Sequence, residues 1–270
     1  METLKKCSLI TGASSGIGQA LALELAKKGH NLVLMARNAE SLLQTIQECH
    51  QLGANAIAVI GDVSKDSDCQ AFVNRAIQEF GRIDALYNNA GISMRALFKD
   101  AEVSVLESVM ATNFWGTVYC TKYALPHLIE SKGSIIGVSS VAGFKGLPAR
   151  TGYSASKFAM HGFLESLRIE NRNTGLHVLI ACPGYTASNI RKTALNAEGQ
   201  TQKESPLNEK KLMPASEVAL CIVKAVEHRK TRLVLTFQGK MALLINTVSS
   251  KLADWVAYRV ISKEPDSPFH

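Results

Sequence analysis

Tyr153 and Lys157 stand four positions apart in the helix-forming run TGYSASKFAMHG, residues 151–162. On a helix, positions i and i+4 share a face, so a phenol and an ammonium project side by side. A phenol ordinarily titrates at about 10, too high for efficient proton exchange at neutrality. A neighbouring cation favours the phenolate and lowers that value. Between the two lie only Ser154, Ala155 and Ser156. A helix packed for stability alone would place a bulky apolar residue there, so the small side chains predict something lying close against this backbone. Ser140 stands thirteen residues before Tyr153, at the end of an apolar run.

A second stretch carries different chemistry. The segment TGASSGIG follows the apolar run CSLIT and opens a helical pattern, with Gly12, Gly16 and Gly18 spaced G-x3-G-x-G. The first glycine permits a tight turn, the second lets backbone approach a pyrophosphate, and the third lets helix and strand pack closely. The helix start offers unpaired N–H groups and the positive end of a dipole. Ser14 and Ser15 add hydroxyl donors. The second apolar run ends LMARN, which places Arg37 where a carboxylate would accept bonds from an adenosine ribose. A guanidinium there suits a 2′-phosphate and favours NADP(H), with NAD(H) not excluded. A solvated arginine at a strand end is the alternative.

These groups need a scaffold, and the chain supplies a regular one. Short, continuously apolar runs at 7–11, 31–36, 56–61, 84–88, 133–140, 177–183 and 232–237 read as strands buried on both faces. Helical patterns lie between them, as at 18–29, 38–53 and 65–81, and Gly29, Gly53 and Gly81 close those patterns as left-handed caps. The βαβ alternation predicts a doubly wound α/β domain with seven parallel strands and helices on both faces. No repeat and no Pro-, Gly- or Ser-rich linker divides residues 1–270. Two segments break the rhythm. Residues 187–213 are polar and weakly periodic, the pattern of a functional lid. Residues 239–262 read as an amphipathic helical tail containing Trp255 and Tyr258, which could pack on the domain, join a subunit interface or touch a membrane surface.

Composition narrows the function classes. Hydrophobic residues make up 46% of the chain and charged residues 20%, ample for a buried core. No apolar run reaches the roughly 20 residues of a spanning helix, and the N-terminus lacks a secretory pattern, so a cytoplasmic location is expected. Six scattered cysteines predict buried reduced thiols, and the seven histidines form no ligand cluster, so no metal is expected. Residues 191–270 carry 13 Lys and Arg against 8 Asp and Glu, a basic part that suits an anionic substrate, a lipid surface or plain solvation. No aromatic-interleaved basic stretch points to nucleic acid.

Taken in order, TGASSGIG, GDV (61–63), NNAG (88–91), NFWGT (113–117), VSS (138–140), YSASK (153–157) and PG (183–184) resemble the short-chain dehydrogenase/reductase family in its compact single-domain branch. The match runs from residue 7 to about 190. LMARN and the C-terminal extension are similar to an NADP-dependent branch that includes membrane-associated steroid and lipid-type reductases. The resemblance implies a Rossmann fold and hydride transfer between a nicotinamide and a carbonyl or secondary alcohol. Tyr153 would exchange the proton, Lys157 would lower its pKa and bond the nicotinamide ribose, and Ser140 rather than Ser139 would bond the substrate oxygen. Asn113 would anchor a proton-relaying water; a helix-interior Asn bonded to backbone is the other reading. Gly12, Ser14, Ser15, Gly16, Ile17, Gly18 and Arg37 would hold the phosphates and adenosine. Asp62 and Val63 would meet the adenine, and Asn89, Ala90 and Gly91 would line the cofactor. Pro183, Gly184, Thr186 and Ser188 would hold the nicotinamide end, Ser188 standing where the family often has threonine.

The substrate pocket is expected between Ser93, Met94, Val141 to Leu147, Tyr185 and the 187–213 lid, mostly apolar or small, as for a hydrophobic ketone or aldehyde. Intact Ser140, Tyr153 and Lys157 weigh against a non-catalytic nucleotide-binding regulator of the same fold. His161 is expected to pack or to join an interface. Runs 113–130 and 153–173 resemble helices that pair in family dimers, which implies a homodimer or homotetramer.

Overall fold

The computed structural model describes residues 5–204, 212–264, 267 and 269. Seven parallel strands form one sheet: β1 (Cys7–Thr11), β2 (Asn31–Ala36), β3 (Ala56–Ile60), β4 (Ala85–Asn88), β5 (Ser134–Val138), β6 (His177–Cys182) and β7 (Arg232–Val234). Their spatial order is β3-β2-β1-β4-β5-β6-β7. The first, second and sixth runs of the sequence end within a residue of the observed strands. Successive strand residues face opposite sides: Leu32 and Leu34 enter one core, Val33 and Met35 the other.

On one face pack α1 (Gly16–Lys27), α2 (Ala39–Gln51) and α7 (Ala215–Glu227), through Leu21, Leu25, Leu42, Ile46, Val218 and Ile222. On the other lie α3 (Asp66–Phe80), α5 (Gly116–Glu130) and α6 (Thr151–Glu170), through Phe72, Val73, Cys120, Leu128, Met160 and Leu164. Helix α4 (Val103–Met110) runs into a π-helical turn at Ala111–Trp115 before α5 begins. Two helices follow β7: α8 (Phe237–Val248) and α9 (Ser250–Ile261).

The single amphipathic tail expected at 239–262 is therefore two helices. Ser249 adopts an extended backbone and its hydroxyl accepts from the Leu252 N–H, capping α9. The 205–211 part of the expected lid lies outside the described residues. The described part is tied down: Leu195 bridges Met94 and Thr201, and Thr186 bridges Met213.

The sheet order reverses between β1 and β4, where the chain leaves one edge and returns to build the other. In such sheets the carboxyl ends of the strands at that point diverge and leave a cleft. Helix α6 reaches the same end because β5 carries Gly137, where any Cβ would overlap the Leu164 side chain. The strand's missing side chain lets the helix bearing Tyr153 and Lys157 lie close to the sheet.

Candidate active site

A cavity of about 1050 Å³ opens at the strand ends. It runs from the glycine loop past β4 and β5 to the C-terminal helices. Of the residues expected to bind or react, all but Gly18 and Asn113 line it. Gly18 lies beneath the loop, where a Cβ would overlap the Gly12 carbonyl oxygen.

The nucleotide half fits a dinucleotide. Ser15 caps α1 without a side-chain hydrogen bond to it, and the first turn carries no acidic residue. The helix start thus presents donors to an anion with no competing carboxylate. Thr11 Oγ1 accepts from the N–H groups of Asn89 and Ala90, both at 3.0 Å. The Asn89 amide returns bonds to the Thr11 and Gly12 carbonyl oxygens at 2.9 and 3.2 Å. Asn89 thereby ties the end of β4 to the glycine loop. At the far end, Asp62 accepts from the Ser64 N–H and hydroxyl at 3.0 and 2.9 Å. Arg37 is largely exposed, with Nη1 3.8 Å from Asp62 Oδ2. No tight ion pair holds the guanidinium away from an incoming anion.

The reacting half centres on α6. Lys157 is buried; its Nζ donates to the Val138 carbonyl oxygen at 2.9 Å and lies 5.7 Å from the centre of the Tyr153 ring. Burial lowers its pKa to about 8. Tyr153 departs from the sequence expectation. Burial is the largest influence on its phenol and raises its pKa; the Ser140 hydrogen bond and the charges of Arg150 and Arg191 act against it, and Cys182 adds to it. Desolvation of the phenolate outweighs the nearby cations. Ser140 follows β5 and caps the short 3₁₀ turn Val141–Gly143 by accepting from the Ala142 N–H at 3.2 Å.

The small residues of the YSASK run also differ from expectation. Ser154 and Ser156 face the protein interior. Ser154 Oγ accepts from the Leu147 N–H at 3.0 Å. Ser156 Oγ donates to the Tyr153 carbonyl oxygen at 2.8 Å and accepts from Asn113 Nδ2 at 2.9 Å. They are small because they fasten α6 to its neighbours in tight space, not because a ligand lies on them. Asn113 sits in the π-helical turn, fully buried. Its amide also pairs with Ile92, accepting from the N–H at 2.8 Å and donating to the carbonyl at 2.9 Å. Both amide hydrogens are used, so only Oδ1 has a lone pair left for a further partner. A Cβ on Gly91 would stand 3.1 Å from that oxygen and 3.6 Å from Lys157 Nζ, which brings both polar atoms to the same side of Gly91.

His161 packs. Its Nε2 lies 2.7 Å from Ser139 Oγ, and its ring meets Phe144 edge-on at 4.7 Å. Ser139 Oγ is thus engaged by His161, while Ser139 and Ser140 both line the cavity. Met94, expected in the pocket, is instead fully buried beside Val105 and Val109. The pocket wall that sequence reading missed comes from the tail: Met241, Ala242 and Ile245 of α8, and Val256, Val260 and Ile261 of α9. Their 3–4 spacing is visible in the sequence as a helical stripe, but spacing does not say what a stripe faces.

The sheet order, the glycine turn and the Ser/Tyr/Lys cluster together define a nucleotide-dependent oxidoreductase on a doubly wound sheet. A family model described as short chain dehydrogenase matches residues 6–199, and the chain belongs to that family, whose members act between CH–OH and C=O groups with nicotinamide nucleotides. Among curated relatives, 11-beta-hydroxysteroid dehydrogenase A of Arachis hypogaea is 38% identical over 267 residues, covering 96% of this chain and 76% of the relative. An 11-beta-hydroxysteroid dehydrogenase-like protein of Arabidopsis thaliana, 4A, is 42% identical over 228 residues, covering 84% and 75%. A solved short-chain dehydrogenase/reductase from Burkholderia phymatum in complex with NAD superposes with a TM-score of 0.81 at 24% identity, covering 93% of this chain and 96% of that one. An alcohol dehydrogenase from Thermococcus sibiricus complexed with 5-hydroxy-NADP gives 0.74 at 24% identity, covering 85% and 94%. At that identity the two structures speak to the fold. Among the described residues, no helix is long and apolar enough to cross a membrane.

Proposed function

We propose that this protein is an NADP(H)-dependent reductase of hydrophobic ketones or aldehydes, working also in the direction of alcohol oxidation. One observation carries the reading: Ser140, Tyr153 and Lys157 line the same continuous cavity as the glycine loop and Arg37. Bound nicotinamide supplies or accepts the hydride. The chain's own groups do the rest. Ser140 Oγ holds the substrate oxygen, and the Tyr153 hydroxyl gives that oxygen its proton or takes it back. Lys157, anchored on Val138, supplies a cation beside the ring and would bond the cofactor ribose. Asn113 fixes the Ile92 backbone and leaves Oδ1 facing the Lys157 side of Gly91, where a relaying water would bond.

The aliphatic wall from α8 and α9 supports a bulky apolar substrate, and the hydroxysteroid dehydrogenase names of the relatives support a rigid polycyclic ketone. The experiment is NADPH oxidation against carbonyls of graded polarity, with Tyr153→Phe beside the wild type. Turnover that prefers apolar ketones and vanishes in the variant, with NADPH still bound, is expected. A clear preference for sugars or polyols would dismiss the substrate class, and a near-normal rate in Tyr153→Phe would dismiss the mechanism.

A peripheral membrane contact is a second reading favoured by a specific surface. The outer faces of α8 and α9 expose Phe237, Leu244, Val248, Leu252, Trp255 and Tyr258, with Lys240, Lys251 and Arg259 exposed among them. Aromatic and aliphatic side chains flanked by cations suit an anionic lipid surface. Co-flotation with anionic but not neutral vesicles supports it; no flotation with either removes it. The exposed Trp115, Phe158 and Ile169 beside α5 and α6 support self-association through those helices, which sedimentation of Phe158→Glu tests.

A further inference from the structure

Helix α6 begins against the local rules. Its N-cap residue is Arg150, which makes no capping hydrogen bond. A cation there opposes the positive end of the helix dipole, where a hydroxyl or carboxylate is favoured. The side chain is nevertheless 12% exposed. It is held by Glu264, which follows α9: Arg150 Nη2 lies 2.9 and 3.1 Å from the two carboxylate oxygens. Arg95 Nη2 approaches the same carboxylate at 3.5 Å, and the Tyr185 hydroxyl bonds it. Arg150 Nη1 is buried with no hydrogen-bond partner. An arrangement that breaks capping preference and leaves a donor unsatisfied persists where it serves something other than stability.

Arg150 immediately precedes the first turn, which carries Tyr153, and both residues line the cavity. The groups that face the phenol come from several elements. Ser140 after β5 bonds it, Arg150 and Arg191 stabilise its charged form, Cys182 of β6 opposes that form, and Lys157 lies over the ring. Glu264 pairs with Arg150 and bonds Tyr185. We propose that Arg150 and Glu264 are a positioning pair that sets the proton affinity of Tyr153: the guanidinium stabilises the phenolate, and the tail's carboxylate attenuates that effect. The C-terminal segment is thereby part of the active site's electrostatics as well as its wall. The proposal rests on Tyr153 as the proton-transfer group of the proposed function.

The test is a titration that needs no substrate. The full chain is labelled with fluorotyrosine and followed by fluorine NMR, with Tyr153→Phe assigning the Tyr153 signal. Arg150→Met is expected to raise the titration midpoint by about one pH unit, and Arg150→Lys to leave it nearly in place. Glu264→Gln keeps an acceptor for the guanidinium but removes the opposing charge, so the midpoint is expected to fall. Opposite signs from the two halves of one ion pair mark an effect of charge, since loosening the helix would move both the same way. An unmoved midpoint in Arg150→Met, or shifts of one sign in both variants, overturns the proposal. Should Arg150→Met fail to fold, Glu264→Gln decides alone, a fall supporting and anything else refuting. Such a failure leaves the hydride-transfer reading standing. An active Tyr153→Phe would instead sink that reading without touching the titration.

Discussion

The ammonium of Lys157 lies over the face of the Tyr153 ring, 5.7 Å from its centre, and gives a hydrogen bond to the Val138 carbonyl oxygen rather than to the phenol. The i, i+4 spacing brought the two side chains together, and β5 decided where the cation rests. A carbonyl neutralises only part of a buried ammonium, so the lysine is held in a place that disfavours its charge.

That placement has a measurable cost. Lys157 titrates at about 8 in the folded protein against 10.5 in the ordinary case. Between those values the unfolded chain binds a proton that the folded chain does not, so stability rises as pH climbs through the window. Below it, the buried charge costs up to about 3 kcal/mol. Lys157→Met should therefore abolish turnover yet stabilise the protein at neutral pH by about 1 kcal/mol, after allowing for the Val138 bond it loses. Urea denaturation at pH 7 and again near pH 10.5 is the check, and the gap should narrow at the higher pH. A variant no more stable than wild type at pH 7 refutes this.

His161 carries a pH signature of the same sign in a lower window. Burial pushes its imidazole down to about 4 from 6.5, with Arg232 and Lys157 adding to the effect and Glu165 opposing it. The unfolded chain binds a proton from about pH 6.5 downward while the folded chain resists it. Stability is thus full above 6.5 and declines as pH falls through about 4, by up to about 3 kcal/mol. His161→Gln can still bond Ser139 but cannot titrate, so its acid limb should be flatter. Denaturation midpoints near neutrality and near pH 4 decide, and identical acid limbs would count against the assignment.

The strands were legible because both faces of a parallel sheet are buried, which leaves runs such as NLVLMA and HVLIAC with no polar interruption. The glycine loop was legible because Gly12 and Gly18 meet close approaches that a side chain would not tolerate, and Gly12 and Gly16 hold a positive φ. Harder to read were contacts between distant segments. Nothing local says that Ser154 and Ser156 bond inward to Leu147 and Asn113, or that Met94 sits under α4. Glu264 and Arg150 are 114 residues apart, and only the folded tail joins them. The stripe at 241–245 and 256–261 announced an apolar face, but its target was set by where β7 ends.

Arg37 stands with its side chain 66% exposed at the mouth of the nucleotide half, loosely paired to Asp62. Such a guanidinium loses little by turning to a phosphate and gains a charge-assisted bond of about 1.5–3 kcal/mol. Arg37→Asp should weaken NADPH binding by about ten- to a hundredfold and leave NADH binding unchanged or improved. Fluorescence titration of both nucleotides measures this directly. Equal losses for the two would show that Arg37 serves binding in general and does not select the 2′-phosphate.

Two glycines of this chain should answer the same substitution with opposite signs. A Cβ on Gly18 would overlap the Gly12 carbonyl oxygen and stand 2.5 Å from Asn89 Nδ2, both fixed by the hydrogen bonds that tie β4 to the glycine loop. Backbone cannot yield there as a side-chain tip would, so Gly18→Ala should cost about 2–3 kcal/mol and weaken nucleotide binding together with stability. Gly162 lies inside α6, exposed, with nothing within 4 Å of an added Cβ. Gly162→Ala should stabilise the helix by about 0.5–1 kcal/mol through lost freedom of the unfolded chain. Thermal unfolding of the two variants side by side tests the close approach itself, because chain entropy acts alike at both positions. If Gly18→Ala is as stable as wild type, the loop must be able to shift away from α1, and the account of why this turn needs its third glycine fails.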